Sequence, residues 1–116
     1  MQEDQILERT NRVNTLFDFY GPLLTDKQQE VLTMYYQDNY SLGEIAAELD
    51  ISRQAVYEHV KRSEQMLEDY EAKLKLADKY EKRMRLLEKL TRLLEECGLD
   101  DREDIRAALA GLKAAD

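Results

Sequence analysis

Between positions 53 and 62 five side chains have the types and spacing to read a nucleic acid. Arg53, Gln54, Tyr57, Lys61 and Arg62 take outward or flanking positions on a helix whose Val56 and Val60 turn inward. Arginine can pair with guanine edges and glutamine with adenine, while lysine and arginine neutralise phosphates. Glu58 shares the outward side and opposes phosphate. Tyr57 offers a ring for stacking, although tyrosines in such places commonly serve as half-buried packing.

No other residues in the chain offer comparable chemistry. Cys97 and His59 are the single cysteine and the single histidine, so neither an intramolecular disulfide nor a zinc set is available. Cys97 is expected to be a small core residue beside Leu93 and Leu94, and His59 a solvated helix residue. The glycines stand at 21, 43, 98 and 111 and form no phosphate-cradling loop. Glu44 and Glu48 lie one turn apart, but helix capping and solubility explain them better than acid–base catalysis. The sequence therefore predicts no catalytic residues, no metal ligands, no cofactor and no enzyme.

The elements that must position the five residues are all helical. With one proline and four glycines in 116 residues, the chain lacks the turns of a β fold. A first helix is expected over residues 4 to 20, ended by Gly21-Pro22, since the residue before proline avoids the α region. Thr25 with Gln28, and Ser41 with Glu44, read as capping boxes opening a second and a third helix. Val31, Leu32, Tyr35 and Tyr36 give the second its buried face, which stops near Asp38-Asn39. Ile45, Ala46 and Leu49 face inward on the third, Asp50-Ile51 makes a turn, and Ser52 caps a fourth helix. These form a helix-turn-helix at residues 41 to 63. Ala46 fills the crossing point, and Asp50 stands where a turn glycine is common.

Beyond Ser52 the apolar residues continue in steps of three or four to Leu94, and no glycine or proline intervenes before Gly98. One unbroken helix would span about 45 residues, roughly 68 Å. A break is expected between Lys75 and Lys82, where the stripe shifts phase. The charged tract 73 to 85 reads as a solvated face with pairs such as Glu81–Arg85. Gly98 is predicted to close the helix, with Asp100 or Asp101 capping a short last one. The fold class is all-α, a helix-turn-helix bundle over residues 1 to 70 with a long amphipathic helical extension over 71 to 116. That extension has more apolar surface than the bundle can cover. A homodimer through residues 80 to 94 is expected, which would also present two recognition helices.

Charge qualifies the nucleic-acid reading. The net charge is −8, which opposes non-specific binding to polyanions. Residues 1 to 51 hold three basic and ten acidic side chains, whereas 52 to 63 hold Arg53, Lys61 and Arg62 against Glu58. Contact with a polyanion belongs to the second segment; a basic protein partner suits the first. The helix-turn-helix could also serve only as a scaffold. No uncharged run approaches the roughly 20 residues of a membrane span. The polar start, Met1 to Asp4, predicts no secretory signal, and the lone cysteine suits the cytoplasm.

The stretch from Leu24 to Leu32 with Tyr35-Tyr36, followed by the motif, is similar to region 4 of bacterial sigma factors. A closer resemblance covers roughly residues 8 to 76. Leu16-Phe17-Asp18-Phe19-Tyr20, Leu23-Leu24-Thr25, Tyr35-Tyr36, Ser41-Leu42-Gly43-Glu44-Ile45-Ala46, Ser52-Arg53-Gln54-Ala55-Val56-Tyr57 and Leu67-Glu68-Asp69-Tyr70-Glu71 resemble the YlxM family. That resemblance implies a regulator near the signal recognition particle and its receptor GTPases, because the family's genes sit beside that of the particle's protein. It leaves three expectations open: binding of DNA or the particle's RNA, an adaptor that binds the particle's protein or GTPase, or a promoter-binding transcription regulator.

Overall fold

The computed structural model describes residues 2–115, and among them every regular element is helical. They are α1 (Gln2–Tyr20), α2 (Asp26–Leu32), α3 (Leu42–Leu49), α4 (Arg53–Leu74), α5 (Leu76–Glu96) and α6 (Glu103–Ala114). A 3-10 turn, Gly21–Leu23, follows α1 with Pro22 in its first positions. The chain divides into two compact units, Met1–Ala77 and Asp78–Asp116.

Local chemistry starts the helices of the first unit as the sequence requires. The Thr25 hydroxyl accepts from the Gln28 N–H at 3.2 Å while the Gln28 side chain accepts from the Thr25 N–H at 3.0 Å. Ser41 and Glu44 make the same reciprocal pair, both bonds 3.1 Å. Each box satisfies two N–H groups that would otherwise lack a partner at a helix start. The second helix does not run straight to Asp38. Thr33–Gln37 is a π-helical turn, with the Asp38 N–H on the Thr33 carbonyl. The added residue per turn shifts Tyr35 and Tyr36 to half-buried positions at the core edge.

The core of this unit is Leu16, Tyr20, Val31, Leu32, Ile45, Val56 and Leu67, all essentially without solvent contact. Burying each large aliphatic side chain is worth about 1.5–3 kcal/mol. Two ion pairs hold α1 along α4: Arg9 to Glu64 at 2.7 Å and Arg12 to Glu68 at 3.1 Å.

The long C-terminal stripe breaks at Lys75, the first residue of the expected window. Lys75 takes φ +58°, a left-handed conformation with no glycine to ease it. Tertiary contacts meet the break, within the window that the phase shift of the stripe marks. Glu71 is buried, and one carboxylate oxygen accepts both the Tyr20 hydroxyl at 2.5 Å and the Ala77 N–H at 3.0 Å. The Tyr20 oxygen in turn accepts the Leu76 N–H at 3.1 Å. A tyrosine of α1 and a carboxylate of α4 thus cap the first N–H groups of α5.

In the second unit α5 ends as expected in a Schellman closure. Gly98 has φ +70°, its N–H bonds the Glu95 carbonyl, and the Leu99 N–H bonds the Leu94 carbonyl. Two expectations need correction. Neither Asp100 nor Asp101 caps α6; Arg102 is the cap residue without a side-chain bond, and its guanidinium pairs instead with Asp104. Cys97 is exposed rather than core, because it lies on the side of α5 that bears Leu86, Leu90 and Leu93, all solvent-exposed. The expected Glu81–Arg85 ion pair is present.

Candidate nucleic-acid interface

The helix-turn-helix is α3, a tight turn and the first half of α4. Asp50 closes α3 in the left-handed region at φ 55°, and the Ile51 N–H bonds the Ala46 carbonyl at 3.1 Å. Aspartate enters that region more readily than most residues, so the missing glycine is tolerated. Ile45 and Ala46 are buried and Leu49 and Ile51 half-buried. Ser52 then caps α4, its hydroxyl accepting the Ala55 N–H at 3.0 Å, and Val56 and Val60 anchor the helix from below.

With that face buried, Arg53, Gln54, Tyr57, Glu58 and Arg62 are exposed and Lys61 is partly so. At about 100° per residue, Arg53, Tyr57, Lys61, Gln54 and Glu58 share roughly 140° of arc, and Arg62 lies about 40° further round. The fold therefore brings together the side chains that the sequence singled out, with Arg62 at the margin.

Their electrostatics differ individually. Among the described residues Arg53 and Arg62 have no ion-pair partner. The Arg53 stem lies over Gly43 at the start of α3, where a Cβ would sit 3.7 Å from Nε. Gln54 makes a long contact with Glu58, 3.4 Å. Lys61 is drawn two ways, its ammonium 5.6 Å from the Tyr57 ring centroid and 3.7 Å from a Glu64 oxygen.

Glu64 is a residue that sequence reasoning missed. Its side chain is only 13% exposed, and it accepts Arg9 at 2.7 Å as well as the Tyr36 hydroxyl. Burial, and then the bond to Glu64, pushes the Tyr36 hydroxyl pKa well above its usual value. The same carboxylate holds the Arg9 guanidinium more firmly protonated. The only signal in the sequence was the i,i+3 spacing of Lys61 and Glu64; the partners from α1 and the π-helical turn lie far away along the chain. His59 is half-buried rather than solvated, and its carbonyl accepts the Ser63 hydroxyl.

A groove of about 530 Å³ runs beside this helix, lined by Ile6, Tyr35, Tyr36, Tyr40, Leu42 and Tyr57. Among the described residues no three His, Cys, Asp or Glu side chains gather as a metal site, and no helix is long and apolar enough to cross a membrane.

Comparison with known proteins agrees with this geometry. The profile of family UPF0122, described as "Putative helix-turn-helix protein, YlxM / p13 like", matches residues 7–104. A UPF0122 protein of Bacillus mycoides (strain KBAB4) is 57% identical over 91 residues, covering 78% of this chain and 83% of its own. One from Exiguobacterium sp. (strain ATCC BAA-1283 / AT1b) is 52% identical over 107 residues, covering 92% and 95%. One from Bacillus cereus (strain AH187) is 56% identical over 91 residues, covering 78% and 83%. The chain belongs to the UPF0122 family of YlxM / p13-like helix-turn-helix proteins.

Proposed function

We infer that this protein is a cytoplasmic regulator of the signal recognition particle pathway whose helix-turn-helix binds nucleic acid, either DNA or the particle's RNA. The observation that carries the binding reading is the exposed start of α4. It is cleanly capped by Ser52 and presents Arg53, Gln54, Tyr57, Lys61 and Arg62 on a bundle that is otherwise acidic. In this reading Arg53 and Gln54 contact base edges, Tyr57 packs on a sugar or base, and Lys61 and Arg62 contact phosphates. Lys61 exchanges its Glu64 contact for a phosphate. The link to the particle rests on the family resemblance alone. Residues 1 to 70 carry the nucleic-acid surface, and residues 71 to 116 serve as an extension for partners.

The aromatic groove favours a second reading. Its tyrosines and the ten acidic side chains of residues 1 to 51 suit an adaptor that grips a basic segment of the particle's protein or GTPase without touching nucleic acid. Fluorescence anisotropy separates the two. Labelled promoter duplex and signal recognition particle RNA are titrated with wild type and with Arg53→Ala/Lys61→Ala. Saturable binding weakened about 30-fold or more in the double variant supports the first reading, since each such contact is worth about 1–3 kcal/mol. Absence of binding to either probe at moderate salt hands the function to the adaptor.

A further inference from the structure

We propose that the outer face of α5 is a homodimer seam in which two copies pair antiparallel, with Leu86 of each beside Cys97 of the other. Two observations in the second unit carry it. Of the stripe expected to pair over residues 80 to 94, Tyr80, Met84, Leu87 and Leu94 are buried or half-buried, Leu87 most of all, and Leu90 alone is exposed. A second stripe is open. Leu86 is 67% exposed, Leu90 41% and Leu93 47%, and Cys97 continues it. Their steps of four, three and four are those of a two-stranded helical seam, which keeps one line of residues facing a partner. Thr91, Leu94 and Glu95 line a cleft with Arg106, Leu109 and Lys113. The Leu86–Leu90–Leu93 line is not part of it.

Charge selects the occupant and its direction. Residues 78–85 hold Lys79, Lys82, Arg83 and Arg85 against Asp78 and Glu81, a net of +2. Residues 95–101 hold Glu95, Glu96, Asp100 and Asp101 and no base, a net of −4. The partner that matches this helix is one with the same charges running the other way, a second copy reversed. The residues flanking the seam repeat the pattern, Lys82 and Lys89 at one end and Glu96 at the other. Parallel pairing would instead put the two basic 78–85 segments at one end and the two acidic 95–101 segments at the other. An antiparallel two-fold midway between Leu90 and Leu93 sets Leu90 against the partner's Leu93 and Leu86 against the partner's Cys97. The two native Cys97 residues then stand about 16 Å apart along the seam, too far for a disulfide.

Sedimentation equilibrium of the full chain, with a reducing agent at micromolar concentration, is expected to give twice the 13.7 kDa chain mass. Leu90→Glu/Leu93→Glu, at exposed positions that leave helix content by circular dichroism unchanged, should weaken association at least about 100-fold. Under mild oxidation Leu86→Cys should yield a covalent dimer whose mapped linkage joins position 86 to Cys97 of the partner subunit, while wild type forms little Cys97–Cys97 linkage. A monomer mass for wild type, a dimer indifferent to the double glutamate variant, or efficient Cys97–Cys97 linkage would each overturn the proposal.

Discussion

Tyrosines 20 and 36 each give their hydroxyl to a carboxylate of α4, Glu71 and Glu64, and each is held protonated by burial first and the carboxylate second. Both folded-state pKa values are raised above the ordinary 10.0. The neutral hydroxyls therefore contribute stability that is fully present below about pH 10 and is lost as pH rises through the folded-state values. Thermal unfolding midpoints followed from pH 8 to 11 should fall on the alkaline side, and Tyr36→Phe should flatten that fall; an unchanged slope would contradict the assignment. Tyr20→Phe should also lower stability by about 1–3 kcal/mol at neutral pH, because it leaves buried Glu71 and the Leu76 N–H short of a partner. Neither pairing was legible in the sequence. Tyr20 and Glu71 are 51 positions apart, and only packing brings them together.

Short-range signals fared better at the scale of the element. Thr25, Ser41, Ser52 and Gly98 start or stop helices as their types dictate, because a cap needs only the next three or four residues. Ser52→Ala should therefore cost about 1 kcal/mol in chemical denaturation and leave the denaturant slope unchanged. The π-helical turn and the residue of the helix break were not legible, since both depend on what α1 and α4 do in three dimensions. The break gives a sharp test. Lys75 sits at φ +58°, where glycine meets no steric penalty, so Lys75→Gly should stabilise the chain by up to about 1 kcal/mol. Were residues 53–96 one continuous helix, glycine there would destabilise it by a similar amount.

Over the whole molecule, the all-α fold and the helix-turn-helix followed from composition and capping, and the outward positions of Arg53, Gln54, Tyr57, Lys61 and Arg62 followed from helical period alone. Harder to foresee was which face of the C-terminal stripe stays open, because steps of three or four put Leu90 and Leu94 on one stripe, and only the folded unit separates exposed Leu90 from half-buried Leu94. Net charge sets the remaining constraint. A chain at −8 binds a polyanion only through its basic segment, so nucleic-acid affinity should fall steeply with salt. Removing Lys61 should lower the slope of log affinity against log salt by about 1; an unchanged slope would remove Lys61 from the phosphate contacts. The central claim, that the start of α4 is the nucleic-acid surface, is tested most directly by an amide NMR titration of isotope-labelled protein with the promoter duplex and with signal recognition particle RNA. The account predicts shifts concentrated at residues 52–62 with at least one of the two and reversed by added salt. Shifts confined to Ile6, Tyr35, Tyr36 and Tyr40 on the other wall of the groove, or none with either ligand, would contradict it.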